Sequence, residues 1–407
     1  MTYKKPDQKT GVWLIGGLGS IAATVMVGTL ALKEGLIPAV GMVTGTDAFR
    51  PLGLAPIRGF EFGGWDIRRQ PVIDGARRMV LECGAVDPAL LVDLADELAE
   101  IDSWIKPGVV HNCGQAINSL AEGAGCGRKP LLAEIDELRG HLRAFRKDKG
   151  LTDLVVVNLA STEPPLPLEE HHLHLASFEK RLQADDATTI RASSLYAYAA
   201  IMEGCPLINF TPTAGTLIPA LLELAAKRRV PVMGNDGKTG ETLVKSALAP
   251  MFLSRNLEIL SWEGFNILGN MDGKVLENPE NRATKIQSKD RVLSGILGYQ
   301  PHSAVHINYV PSLGDQKTAW DFIHFQGFLG AKMSLQFTWQ AYDSLLAAPL
   351  VLDLIRLAQF ALHRGEWGLM PHLASFFKAP LGVAVFDHHQ QFAMLNEYVR
   401  GVAPGQG

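Results

Sequence analysis

The stretch Gly11-Val-Trp-Leu-Ile-Gly-Gly-Leu-Gly-Ser-Ile21 decides the fold. Its apolar first half, Gly11–Ile15, reads as a buried strand. Gly16–Ser20 follows as a tight turn, and Ile21–Lys33 continues as the helix that the turn opens. A strand, a glycine turn and a helix in that order begin a βαβ unit of the dinucleotide-binding kind, in which backbone N–H groups and a helix N-terminus face a pyrophosphate. The strict G-x-G-x-x-G fingerprint is not met: Gly17 and Gly19 fill its first two places, and Ala22 stands in the third. A second apolar segment, Ala39–Thr44, lies near the distance expected for the next strand, with Asp47 as a candidate ribose ligand. The uncharged run Val12–Leu32 also has the length of a membrane span or signal peptide. Gly16, Gly17 and Gly19 interrupt it, which favours strand, turn and helix within a core over one continuous helix.

Further parallel-strand candidates are Val109–His111, Leu154–Asn158 and Pro206–Asn209, separated by amphipathic stretches such as Ala89–Ile101 and Pro130–Lys147. That alternation implies a doubly wound sheet. Small polar loops, Leu159–Pro165 and Phe210–Thr213, follow two of these strands, at the sheet edge where open α/β folds hold ligands. After Lys245 the texture changes. Leu257–Leu268, Val305–Val310 and Met333–Thr338 read as strands of a second, more mixed sheet, and Phe322–Gly330 and Ser344–His363 as apolar helical material. A chain of 407 residues exceeds what one core serves. The expected fold class is α/β: a Rossmann-type domain of residues 1–233 and 350–407, and a second α/β domain of residues 234–349.

With 47% hydrophobic residues, 20% charged residues and a net charge of −4, the composition is that of a soluble globular protein. Neither a basic face for nucleic acid nor a long charge run is present, so an anionic ligand must be held by local lysines. The four cysteines show no C-x-x-C spacing and suit reduced thiols of a cytoplasmic protein, with Cys126 a candidate reactive thiol. His171, His172 and His174 form a trio that raises a zinc site, against the alternative of a solvated helix or loop.

The chemistry concentrates further on. Gly234-Asn-Asp-Gly-Lys-Thr-Gly-Glu-Thr-Leu-Val-Lys245 packs three glycines, two lysines and two threonines behind the apolar run Val230–Met233. Glycines let N–H groups approach an anion, and lysine and hydroxyl groups complete a phosphate cradle. The Walker pattern does not fit, because Lys238 precedes Gly240. A second cluster, Asn266-Ile-Leu-Gly-Asn-Met-Asp-Gly273, leads to Lys285 and Lys289. On a helix over Thr284–Arg291 these two lysines would share a face and repel unless an anion sat between them.

Together with Pro311–Lys317, Asp343–Pro349 and Phe377–Pro380, these blocks resemble, in order and spacing, the myo-inositol-1-phosphate synthase family in its compact archaeal and bacterial form. The resemblance spans nearly the whole chain and is densest from about Leu195 to Pro380. It implies an NAD-dependent isomerisation of D-glucose 6-phosphate to 1L-myo-inositol 1-phosphate: oxidation at C5, enolisation at C6, aldol closure onto C1, and reduction by the retained NADH. Carried over by position, Gly16, Gly17, Gly19 and Ser20 form the pyrophosphate turn. The family's G-G-N-N portion reads Leu18-Gly-Ser-Ile21 here, so its asparagine contacts are absent. Asp66 falls near the adenosine ribose, and Ala160, Ser161 and Thr162 beside the nicotinamide ribose. Thr239 and Gly240 fall on the phosphate loop, and Asp236, Asn270, Asp272, Lys285, Lys289, Lys317, Asp343 and Lys378 on active-site positions. So many lysines suit a reaction that passes through a phosphate dianion, an enolate and an alkoxide. Clustering also lowers an amine's pKa toward neutrality. The resemblance further implies a homotetramer assembled through the second domain, with Phe322–Leu329 as interface material. Use of a divalent or monovalent cation varies within the family and is left undecided. A relative acting on another sugar phosphate, a dehydrogenase releasing an oxidised product, and a silent NAD-binding scaffold remain open, although a scaffold has no need of four clustered lysines.

Overall fold

The computed structural model describes residues 9–84, 86–122, 129–269, 273–274 and 292–403. The opening stretch folds as β1 (Thr10–Ile15), with all six residues buried, then the turn, then helix α1 (Ser20–Lys33). No continuous helix runs through Val12–Leu32. The strands β2 (Phe60–Asp66), β3 (Ile105–Pro107), β4 (Asp153–Asn158), β5 (Leu207–Asn209) and β6 (Pro231–Gly234) continue the sheet. β7 (Glu258–Leu268), β8 (His302–Tyr309), β9 (Gln316–Gln326) and β10 (Lys332–Tyr342) form another, and the short β11 (Gly368–Leu369) returns to the first.

Among the described residues the first sheet has seven strands, all parallel, in the order β11-β6-β5-β4-β1-β2-β3. The order reverses between β1 and β4, the switch point where such sheets open a crevice for ligands. Alternate residues of β1 serve opposite cores. Val12 and Leu14 face the layer holding α1 and the helix Asp343–His363, while Trp13 and Ile15 face the helices Leu131–Asp148 and Ala192–Met202. The helix Asp343–His363 is long and apolar enough to cross a membrane, yet its body packs against α1 and against β4 to β6. The second sheet is mixed, with order β10-β9-β7-β8, in which β7 pairs parallel with β8 and antiparallel with β9. One face packs Ile259, Trp262 and Ile323 against Phe252 of the helix Glu241–Ser254.

Three expected elements differ. Ala39–Thr44 is not the second strand: Gly41 adopts φ 89, and the N–H groups of Val43 and Thr44 donate to the Asp353 carboxylate at 2.7 and 3.0 Å instead of to a sheet. Asp47 stands exposed in a 3-10 turn, paired with Arg50 and away from the crevice. The strand expected at Val109–His111 lies earlier, at β3, because Val109 N–H donates to the Tyr196 hydroxyl at 2.6 Å and leaves the ladder. Phe322–Gly330 is not a continuous helix, and its helical part is the single 3-10 turn Phe328–Gly330. The segment is the end of β9 and the hairpin tip, where aromatics on both faces of a strand resemble a helical stripe.

Candidate active site

A cavity of about 650 Å³ opens at the carboxyl ends of β1, β2, β4, β5 and β6 and reaches the second sheet. Its cofactor side begins at the glycine turn. Gly16 takes φ 81, and a Cβ there would stand 2.9 Å from the Ala160 backbone, so only glycine lets the β1 turn approach the β4 loop. The N–H groups of Gly16 and Gly17 both donate to Trp65 O, at 2.8 and 3.1 Å. Helix α1 starts at Ser20 with no side-chain cap, which leaves its N-terminus for an anion. Gly16, Gly19 and Ser20 line the cavity; Gly17 is buried behind them, facing Ile105. The turn therefore fits a dinucleotide pyrophosphate through the α1 N-terminus rather than through the asparagines it lacks.

Asp66 ends β2 in the crevice, where its carboxylate accepts from Leu18 N–H at 2.8 Å and from the Arg68 guanidinium at 3.1 Å. Ala160, Ser161 and Thr162 line the opposite wall, anchored by Asn158, whose Oδ1 accepts from Ala160 N–H at 3.2 Å. Asn158 Nδ2 in turn donates to Asn209 and Thr216, tying the ends of β4 and β5 together. Glu163 closes the same loop, which the resemblance places beside the nicotinamide ribose. It is buried beneath this wall, receives hydrogen bonds from Ser193 N–H and Oγ–H, and has its carboxyl pushed up by burial.

Across the crevice, the loop after β6 lies against the segment 376–381. Lys238 N–H donates to Phe376 O at 2.9 Å, and Lys378 N–H to Asp236 O at 2.7 Å. This pairing brings Lys378 Nζ within 2.8 Å of Asp236 Oδ1, with both side chains largely buried. Asp236 itself sits at φ 64, fixed by its N–H bond to Thr211 O. A second group forms at the start of the helix Asp343–His363, where Asp343 receives both Lys317 Nζ and Thr239 Oγ1 at 3.5 Å. A Cβ on Gly240 would lie 3.7 Å from Lys317 Nζ, so the loop glycine faces that lysine closely. Asp236, Thr239, Asp343 and Lys378 line the cavity, and Lys317 and Gly240 adjoin Asp343. Asn270, Asp272, Lys285 and Lys289 lie outside the described residues, as does Cys126.

Further polar groups at the site went unassigned in the sequence. Asp315, two residues before Lys317, lines the cavity and accepts from Ser344 Oγ–H. Lys238 does not join a phosphate cradle as expected of the loop's lysines: it turns away from the crevice to Gln391, and burial lowers its amine to about 7. His171 and His172 are not solvated as expected. They are buried, with His171 bonded to Thr189 at 2.9 Å and His172 accepting from Glu169 N–H at 2.9 Å to close the short helix Glu170–Leu173. Among the described residues no histidine, cysteine or carboxylate group is arranged to hold a metal. The described thiols Cys113 and Cys205 are buried and unpaired, and burial pushes both up to about 12.

The chain is 32% identical to inositol-3-phosphate synthase 1 of Bacteroides thetaiotaomicron, over 97% of this chain and 94% of that one. It is 31% identical to inositol-3-phosphate synthase isozyme 2 of Arabidopsis thaliana, over 87% and 74%. Among solved structures, inositol-3-phosphate synthase of Caenorhabditis elegans superposes with a TM-score of 0.88 at 25% identity, covering 98% of this chain and 87% of that one. A myo-inositol-1-phosphate synthase-related protein of Thermotoga maritima gives 0.79 at 25% identity, covering 98% and 100%. The NAD-binding family described as myo-inositol-1-phosphate synthase matches residues 10–400, from the first strand of the crevice to the last helix, and the chain belongs to that family.

Proposed function

We propose that the protein isomerises D-glucose 6-phosphate to 1L-myo-inositol 1-phosphate. The observation that carries this reading is the meeting of a pyrophosphate-suited turn and two lysine–aspartate pairs around one cavity of about 650 Å³. NAD bound on the α1 turn would take a hydride from C5 of the sugar and return it to the same carbon, so that substrate and product are isomers.

The residues divide the remaining work. Gly16, Gly19 and Ser20 receive the pyrophosphate, with Gly17 shaping the turn from behind. Asp66 meets the adenosine ribose, and Ala160, Ser161 and Thr162 orient the nicotinamide end. Thr239 and Gly240, at the uncapped start of the helix Glu241–Ser254, hold the sugar phosphate together with Lys285 and Lys289. Lys317 and Lys378 stabilise the oxyanions that develop at C5 and C1, since preorganised ammonium groups in a water-poor site favour such charge strongly. Asp236 and Asp343 keep those ammonium groups aimed and offset their mutual repulsion. Asn270 and Asp272 complete the set.

The same reading divides the chain into a cofactor domain of residues 1–233 and 350–407 and a catalytic domain of residues 234–349, supported by sheet membership. It also makes the second sheet the surface of a homotetramer. Phe328 and Leu329 at its hairpin tip are 89% and 90% exposed in the single chain, and Phe265 and Trp320 stand half-exposed on one face. The test is incubation of the purified protein with glucose 6-phosphate and NAD. Inositol phosphate should form without accumulation of reduced nicotinamide. Steady growth of NADH would indicate a plain dehydrogenase, and NAD binding without turnover a scaffold.

A further inference from the structure

Glu241 and Lys245 form an ion pair that none of the chemistry above uses. Their side chains are 1% and 3% exposed, and Lys245 Nζ lies 2.8 Å from Glu241 Oε1. The other carboxylate oxygen accepts from Asn266 Nδ2 at 2.7 Å. Lys245 also stands 5.6 Å from the centre of the Trp262 ring, whose indole N–H donates to Asp321 at 2.7 Å. The packing is tight: a Cβ on Gly264 would come within 2.4 Å of Glu241 Oε1. So the pair joins the start of the helix Glu241–Ser254 to the middle of β7.

Glu241 directly follows Gly240, beside Lys317 and Asp343. A bare carboxylate at that point would repel a phosphate dianion, and a helix N-terminus offers only a small counter-attraction. A buried carboxylate is tolerated when paired and hydrogen-bonded, which Lys245 and Asn266 achieve. We propose that Glu241 and Lys245 are positioning residues for the sugar phosphate: the carboxylate fastens Gly240 to β7 through Asn266, and the ammonium cancels its charge, leaving the loop receptive to an anion. This rests on Thr239 and Gly240 being the phosphate loop.

The test uses the full chain with NAD present, measuring glucose 6-phosphate affinity by calorimetry together with KM, kcat and thermal unfolding. Lys245→Met should weaken affinity and raise KM about a hundredfold by removing the ammonium that faces the Glu241 carboxylate, with kcat and NAD affinity within about threefold of wild type. Glu241→Gln keeps an acceptor for Asn266 and should bind at least as tightly as wild type. The double variant Glu241→Gln/Lys245→Met removes both charges and should recover most of the lost affinity. A double variant as impaired as Lys245→Met, or a loss confined to kcat, overturns the proposal. Should Lys245→Met fail to fold, the double variant decides: near-wild-type affinity supports the pairing and a large loss overturns it. A wild type that does not bind glucose 6-phosphate overturns the substrate reading itself, and is distinguishable because no variant is then involved.

Discussion

Gly16→Ala separates the geometry of the cofactor turn from its sequence pattern. Gly16 takes φ 81, where an L-residue pays about 1–2 kcal/mol. The added methyl would stand 2.9 Å from Ala160 Cα and 3.0 Å from its N. Backbone cannot swing aside as a side chain can, so overpacking adds about 1–3 kcal/mol. The total, about 2–5 kcal/mol, is a large fraction of a typical stability of about 5–15 kcal/mol. Gly17 and Gly19 differ. A Cβ on Gly17 meets the end of the Ile105 side chain at 3.2 Å, and one on Gly19 meets Gly16 O at 3.2 Å, with neither at positive φ. Alanine there should cost within about 1 kcal/mol of stability. Urea unfolding and calorimetric titration with NAD resolve the three. Gly16→Ala should lose stability as calculated and about a hundredfold in NAD affinity, since it displaces the Ala160 wall. Gly19→Ala should keep its stability and lose about tenfold in affinity, and Gly17→Ala should change little. A Gly16→Ala protein as stable as wild type, or a Gly17→Ala protein that binds NAD worse than Gly16→Ala, refutes the reasoning.

Other consequences follow from single contacts. Lys378→Met leaves Asp236 without its 2.8 Å ammonium partner, which should destabilise the loop by up to about 3–5 kcal/mol and lower turnover about a hundredfold to a thousandfold while NAD affinity holds; normal kcat would contradict this. Burial raises the Asp353 carboxyl from 3.8 to about 6. Its contribution to stability is therefore full below the unfolded value and is lost as pH rises through about 6, a swing of about 3 kcal/mol. The unfolding free energy of wild type minus that of Asp353→Asn should fall by that amount between about pH 3 and pH 7, and a flat difference would rule it out. If the proposed tetramer assembles through the second sheet, Phe328→Ser/Leu329→Ser should shift its sedimentation toward smaller species, and an unchanged boundary would contradict assembly through that hairpin tip.

The strand–turn–helix opening was legible because its apolar run, glycines and helix act over neighbouring residues. β2 was not, since nothing local shows that Val43 and Thr44 bond to Asp353, some 310 positions away. The end of β9 reads as helical in sequence because Trp320, Phe322 and Phe325 span both faces of one strand. The site shows the same division. Residue types in Gly234–Lys245 made it a candidate anion loop, whereas the partner of Asp236 comes from Lys378, 142 positions on, through a backbone pairing visible only in three dimensions. Lys238 and Lys317 look alike in sequence; the fold points one at Gln391 and the other at Asp343.

One isotope measurement bears most directly on the proposed removal and return of a hydride within one cavity. Glucose 6-phosphate carrying deuterium on C5 is incubated with the protein and catalytic NAD, and product and cofactor are read by mass spectrometry. The deuterium should remain in the inositol phosphate, on the carbon that was C5, with no net reduced cofactor. Deuterium accumulating in NADH, with no inositol phosphate formed, would contradict the proposed isomerisation.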